Sequence, residues 1–180
     1  MTHNYSTQNS LLLNNLMKFY EKNNNIDKIL PIINGESKIS LRLIDWFVTN
    51  YSKKNFTIIK DGTKRFKVYL DYKLKLKAYS KKRFDPFCRW ERITIPYGED
   101  SLMETTIGQL NFFRWIIENN ILGYIKEKLS DINDDMNKRN STSKKKGKGN
   151  NKTRKKREEL SIFASKSIKK EKVKIVVEFK

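Results

Sequence analysis

Twenty-one consecutive residues, 137–157 (NKRNSTSKKKGKGNNKTRKKR), contain no apolar side chain. Such a stretch cannot bury enough surface to offset its chain entropy, which predicts disorder. It confines the foldable part of the 180-residue chain to what precedes it. The expected organisation is a single domain over residues 10–136 and a disordered Lys/Arg-rich tail over 137–171. A short strand-like segment, 172–180, carries the apolar run of Val173, Ile175, Val176, Val177 and Phe179. The length suits one domain plus a tail.

The charge is as uneven as the hydrophobicity. Of the formal net +19, residues 51–97 contribute +10 and residues 138–180 contribute +13, whereas residues 98–137 carry −5. In 51–97 the cations are interleaved with Phe, Tyr, Trp, Leu, Val and Ile, so this block can fold. A surplus of this size attracts polyanions. Other classes fall away. No apolar run reaches the ~18–20 residues of a membrane span. The first ten residues, MTHNYSTQNS, lack a basic-then-apolar leader, so neither secretion nor a membrane partner is expected. One cysteine, Cys88, and one histidine, His3, leave no disulfide framework, no cysteine zinc finger and little histidine chemistry. The GxxxxGK[ST], GxGxxG and HExxH patterns are absent. No cofactor or metal is called for, and the chain is not read as an enzyme.

Periodicity predicts the elements. Leu12, Leu13, Leu16, Phe19 and Tyr20 recur at helical spacing over 11–22 behind Ser10 as N-cap. Residues 26–33 form a short apolar stretch interrupted by Pro31, followed by a turn at Asn34 and Gly35. Ser37 or Ser40 caps a helix to about Tyr51. Residues 56–59 read as a short strand, and Asp61 with Gly62 as a hairpin turn. Then comes a long alternation. Phe66, Val68, Leu70, Tyr72, Leu74, Leu76 and Ala78 fall on one side, and Lys67, Tyr69, Asp71, Lys73, Lys75 and Lys77 on the other. Period 2 over this length predicts a half-buried antiparallel strand. Asp85 before Pro86 marks a turn, and 93–97 a further strand. Thr105 or Thr106 caps a helix to about Asn119 that is apolar around most of its girth and therefore central. Asn119 and Asn120 end it, and a second helix covers 121–136. The fold class is α+β: a small antiparallel sheet centred on 66–79, packed by three to four helices.

Two sets of residues are candidates for binding phosphates. Lys73, Lys75, Lys77, Lys81, Lys82, Arg83, Arg89 and Arg92 would line one surface if the alternating run is a strand. Tyr69, Phe84, Phe87 and Trp90 lie close enough in sequence to stack on unpaired bases. The competing reading is a solvated strand face whose lysines block aggregation. The second set lies in the tail: Lys144, Lys145, Lys146, Lys148, Lys152, Arg154, Lys155, Lys156 and Arg157. A flexible basic segment holds a phosphate backbone without reading sequence; it also fits a nuclear import signal or a solubilising tail. In 84–92, Asp85 reads as a turn former, Cys88 as a small buried hydrophobe and Glu91 as an ion-pair partner of its flanking arginines. The helix pair 106–136 has the outline of a helix-turn-helix. Its second helix is acidic, however, and would meet phosphate with the wrong sign.

Three segments carry a resemblance: KISLRLIDWFVTNYSKKN (38–55), LKAYSKKRFDPFCRWERI (76–93) and ETTIGQLNFFRWIIENNILGYI (104–125). Over about 38–125 the chain resembles a group of small, mostly uncharacterised proteins of nucleocytoplasmic large DNA viruses, the mimivirus-like giant viruses in particular. The over-use of Asn, Lys and Ile fits an A+T-rich genome of that kind. The resemblance implies a viral source and a location in the virion or in a host-cytoplasm virus factory, with the nucleus as the alternative if the tail is an import signal. It brings no catalytic residues. Together, charge and resemblance lead to an expectation: a non-enzymatic protein that binds nucleic acid, DNA rather than RNA, through its phosphates and with low sequence specificity, in viral genome packaging or organisation. The alternative is a virion or virus-factory scaffold that contacts other viral proteins while the tail only localises it.

Overall fold

The computed structural model describes residues 7–61, 64–97, 101–146 and 168–171. Helix α1 (Gln8–Glu21) begins one turn earlier than expected because Thr7, not Ser10, is the cap; Thr7 Oγ1 accepts from the Ser10 N–H at 3.2 Å. A 3₁₀ turn leads to α2 (Asn25–Asn34), which carries Pro31 within it and ends on Gly35 in the left-handed conformation (φ 79°). Left-handed backbone at a helix end suits glycine, which has no Cβ to clash. Helix α3 (Leu41–Trp46) is capped by Ser40, whose Oγ accepts from the Leu43 N–H at 3.1 Å. It runs into a π-helical turn (Phe47–Tyr51) and one more turn, α4 (Ser52–Lys54). Thr49 and Ser52 there donate their hydroxyls back to the carbonyls of Asp45 and Val48, the bonding that loosens a helix interior.

Strands β1 (Ile58–Asp61) and β2 (Lys64–Lys67) pair antiparallel with Asp61 opposite Lys64, consistent with the hairpin expected at Asp61 and Gly62. The expectation that fails is the long strand. Residues Val68–Arg83 form a helix, α5. The alternation conceals a helical stripe: Val68 and Tyr72 are buried and Leu76 and Tyr79 partly so, spaced four, four and three apart. Other apolar residues of the alternation stay outside the core, since Leu70 and Leu74 are 54% and 65% exposed. Composition decides between the two periods. Leu, Lys and Ala are good helix formers, and Val68 is the one β-branched residue in the run. A strand of this length would also be far above the usual five to six residues.

After α5, β3 (Ile93–Tyr97) pairs antiparallel with β4 (Ser101–Thr105), and β5 (Ile168–Glu171) adds to the far edge of β4. The fold is α+β, with its sheet content in these two small antiparallel sheets rather than around 66–79. Helix α6 (Ile107–Glu118) is the centre. Residues 108–113, Trp115 and Ile116 are buried, and Thr106 caps its start by accepting from the Gln109 N–H at 3.1 Å. Asn120, left-handed at φ 50°, turns the chain into α7 (Ile121–Glu127), and α8 (Leu129–Lys146) follows after a break at Lys128. Ile121, Ile125, Ile132 and Met136 join the core with Leu16, Ile33, Ile44 and Phe47 from the N-terminal helices. Residues 137–146, expected in the disordered tail, continue α8, and residues 168–171 form β5. The strand-like segment 172–180 lies outside the described residues.

Candidate nucleic-acid interface

On a helix at 100° per residue, Lys73 and Lys77 share an outward face beside Leu70 and Leu74, whereas Lys75, partly buried, turns away from them. The single lysine face expected of a strand therefore does not form. Ser80 then breaks the helix, with φ 61° and ψ 169°. These angles place Lys81, Lys82 and Arg83 in a new direction. Arg83 donates through Nε to Asn9 Oδ1 at 2.7 Å and through Nη1 to Gln8 Oε1 at 3.0 Å. Both partners are neutral, so the guanidinium keeps its charge. Among the described residues, none of Lys73, Lys75, Lys77, Lys81, Lys82 and Arg83 has an ion-pair partner. Asp71, the acid on the same helix, accepts from the Trp115 indole at 2.5 Å instead.

The segment 82–86 is fastened to the start of α6. Asn111 donates to the Arg83 carbonyl at 2.9 Å, Gln109 to the Pro86 carbonyl at 3.0 Å, and the Asp85 N–H to the Gly108 carbonyl at 3.2 Å. Gly108 permits this approach: a Cβ there would stand 2.8 Å from the Lys82 carbonyl oxygen.

Farther along, the cations are engaged within the fold. Asp85, 2% exposed, receives the Arg89 guanidinium in a two-pronged contact at 2.7 Å on each oxygen, and its Oδ1 also accepts from the Phe87 N–H. The turn at Asp85 and Pro86 thus forms as expected. Arg92 pairs with Glu104 at 2.8 Å, next to the β3–β4 ladder. These two arginines, expected on the phosphate surface, hold the fold together instead. Glu91 is correspondingly not the ion-pair partner that its position between arginines suggests; it is exposed. Phe84 is no stacking face either. It is 2% exposed and packed among Tyr72, Tyr79, Phe112 and Trp115. Cys88 is buried. Phe87 is partly buried with the Arg89 guanidinium 5.0 Å over its ring, and Tyr69 has Lys53 at 5.6 Å. Trp90 keeps 41% of its surface exposed.

Two acids that composition alone does not single out shape this region. Asp45, on α3, is partly buried near Asp85; its burial, together with the Asp85 charge and against the pull of Arg89, pushes its carboxyl up to about 6. Asp135, on α8, accepts from the Trp46 indole at 3.0 Å and from Lys54 at 3.2 Å. Burial alone would raise Asp135; Trp46, Lys54 and Arg139 more than reverse that and lower it. The acidic helix is thereby docked on α3. Apart from Arg139, four residues on along α8, no local sequence signal links either acid to its partners, because the other contacts span tens of residues.

Three of the candidates do converge. Lys82, Arg83 and Trp90 share a cleft of about 810 Å³ with Ser80, Glu91 and the start of α1. Lys82 Nζ stands 6.0 Å from the Trp90 ring centroid. Of the tail, Lys144, Lys145 and Lys146 close α8, while Lys148, Lys152, Arg154, Lys155, Lys156 and Arg157 lie outside the described residues. Among the described residues no three His, Cys, Asp or Glu side chains come together as a metal site, and no helix is long and apolar enough to cross a membrane.

The chain is similar to known proteins in two ways. It is 46% identical over 127 residues, 66% of its length, to "Uncharacterized protein L507" of Acanthamoeba polyphaga mimivirus. That stretch is 49% of the relative, so the chain spans about half the length of the curated relative it matches. No solved structure matches it. A family model, described as a family of unknown function (DUF7197), covers residues 2–178. The resemblance read from residues 38–125 is borne out: the chain belongs to DUF7197, a family of unknown function, and has a mimivirus protein among its relatives.

Proposed function

We propose that this chain is a non-enzymatic nucleic-acid-binding protein that holds DNA through its phosphates, with low sequence specificity, in the packaging or organisation of a viral genome. One observation carries the reading: from Lys73 to Arg83, six cations have no carboxylate partner among the described residues. Unpaired cations on a folded segment can exchange condensed counterions for phosphates without first breaking internal ion pairs. The tail, +13 over residues 138–180, adds to the same field. The virion or a cytoplasmic virus factory is the place where such binding would serve.

A salt titration of duplex DNA binding tests it. Affinity of the full chain should fall steeply with salt, and the slope should drop by about one for each phosphate that a variant no longer neutralises. The triple variant Lys73→Gln, Lys77→Gln, Lys81→Gln should flatten the slope. Replacing the six tail cations from Lys148 to Arg157 by Gln should flatten it further. Failure to bind DNA at low salt ends the proposal.

The second reading, a scaffold that contacts other viral proteins, is favoured by a different observation. Leu70 and Leu74 are exposed on α5, and an apolar pair of this kind suits a protein partner better than a phosphate backbone. A partner captured equally well after nuclease treatment, and no longer captured by the double variant Leu70→Ser, Leu74→Ser, would support this reading over the first.

A further inference from the structure

The cleft beside the break in α5 has a composition that general phosphate binding does not require. A phosphate surface needs exposed cations; this place adds an exposed indole on a concave wall. Trp90, Glu91, Lys82 and Arg83 line it together with Thr7 and Ser10 at the start of α1. The volume, about 810 Å³, is within the range of pockets that enclose small ligands. The Trp90 ring is not sealed by its neighbour, since Lys82 Nζ at 6.0 Å is at the outer limit of a cation–π contact.

The backbone supports a built site. Ser80 lines the cleft and holds φ 61° and ψ 169°, a region sparsely populated by non-glycine residues that persists only where the surroundings enforce it. Just beyond it, three bonds fasten 83–86 to α6. Without the break, α5 would continue straight, and Lys82 and Arg83 would leave this wall. Arg83 is held in place by Gln8 and Asn9 without losing its charge. The positive end of α1 adds in the same sense.

We infer that this cleft takes one unpaired nucleotide of a single strand, its base stacked on Trp90 and its phosphate held by Lys82 and Arg83. The chemistry selects single strands because an indole can cover a base only when that face is not already stacked in a duplex. Glu91 has a role in the same picture: its carboxylate can accept from a base N–H, the thymine N3–H included, while it repels a second phosphate. This deepens the phosphate reading proposed above and rests on it.

The test compares a short oligothymidylate with a duplex of the same length at equal salt, using the full chain. The oligothymidylate should quench tryptophan emission, and Trp90→Phe should abolish that quenching although two tryptophans remain. Trp90→Ala should weaken single-strand binding about tenfold or more and leave duplex binding within about twofold, as expected where one base–aromatic stack is removed. Trp90→Phe should retain most of the affinity. Melting temperatures of both variants verify folding, and Trp90 is exposed enough to be replaced without a large loss of stability. Equal affinity for both nucleic acids, unchanged by Trp90→Ala, overturns the single-strand site and leaves the phosphate reading standing. Equal weakening of both by Trp90→Ala overturns it as well. Absence of binding to either at low salt removes both.

Discussion

Two neighbouring sets of cations have opposite fates. From Lys73 to Arg83, six positive side chains stand without acidic partners among the described residues. Within ten residues, Arg89 and Arg92 are locked to Asp85 and Glu104. In sequence the two sets are indistinguishable, since both are basic residues interleaved with aromatics. What separates them is where the chain places its acids. Asp71 accepts from Trp115 and makes no ion pair with a lysine of α5, whereas Asp85 is buried and needs a guanidinium. Charge counted along a chain measures the capacity for binding a polyanion; charge left over after the fold has formed its ion pairs is what such a partner meets.

The largest effect that sharpens this contrast should come from Arg89→Ala. It leaves the Asp85 carboxylate buried, with the Phe87 N–H still donating to it but no cation beside it, and should cost about 3–5 kcal/mol. Lys73→Ala, by contrast, should change stability by no more than about 0.5 kcal/mol. Urea melts of the two variants make the comparison, and similar losses would break it.

Next comes a pH effect from the acid beside that pair. The carboxyl of Asp45 is pushed up to about 6 from an ordinary 3.8. Between those values the unfolded chain releases its proton before the folded one does. Stability should therefore fall as pH rises from about 4 to about 6 and level off above that. The contribution is of the order of 1–3 kcal/mol. Asp45→Asn should remove this part of the profile. A variant whose stability between these pH values follows the parent would show that Asp45 is not held protonated by its burial near Asp85.

The smallest effect concerns the break that separates Lys82 and Arg83 from the lysines of α5. Ser80→Gly should stabilise the fold by about 1 kcal/mol, because relief of a positive φ exceeds the added freedom of the unfolded chain. The melting temperature reports it. A loss of stability instead would mean that the Ser80 side chain contributes more than its backbone angles cost.

How much of this is legible in the sequence depends on the range of the signal. The Thr106 cap, the left-handed Asn120, the strand Ile93–Tyr97 and the hairpin at Asp61 are local, written in one to four adjacent residues. Helix α5 reads as a strand because two periods fit the same residues. Val68, Tyr72 and Leu76 belong equally to an alternation and to a helical stripe, and the run between them is too rich in Leu, Lys and Ala to be a strand. Pro31 hides α2 for a simpler reason: a proline marks an interruption, yet α2 carries it. Of the candidate site, Lys82, Arg83 and Trp90 stand out in the sequence. The wall supplied by Thr7 and Ser10 does not, because it comes from more than seventy residues away.

The sequence by itself determined that this chain carries a large positive charge in two blocks, that α6 lies at the centre, and that the fold mixes helices with small antiparallel strands. These follow from composition and local pattern, which no tertiary contact can change. Only the tertiary structure decided which cations remain unpaired, that Phe84 belongs to the core while Trp90 does not, and that Lys82, Arg83 and Trp90 meet beside α1. The reason is physical. An ion pair or a cleft depends on the positions of groups far apart in the chain, and those are set by how the helices pack around α6.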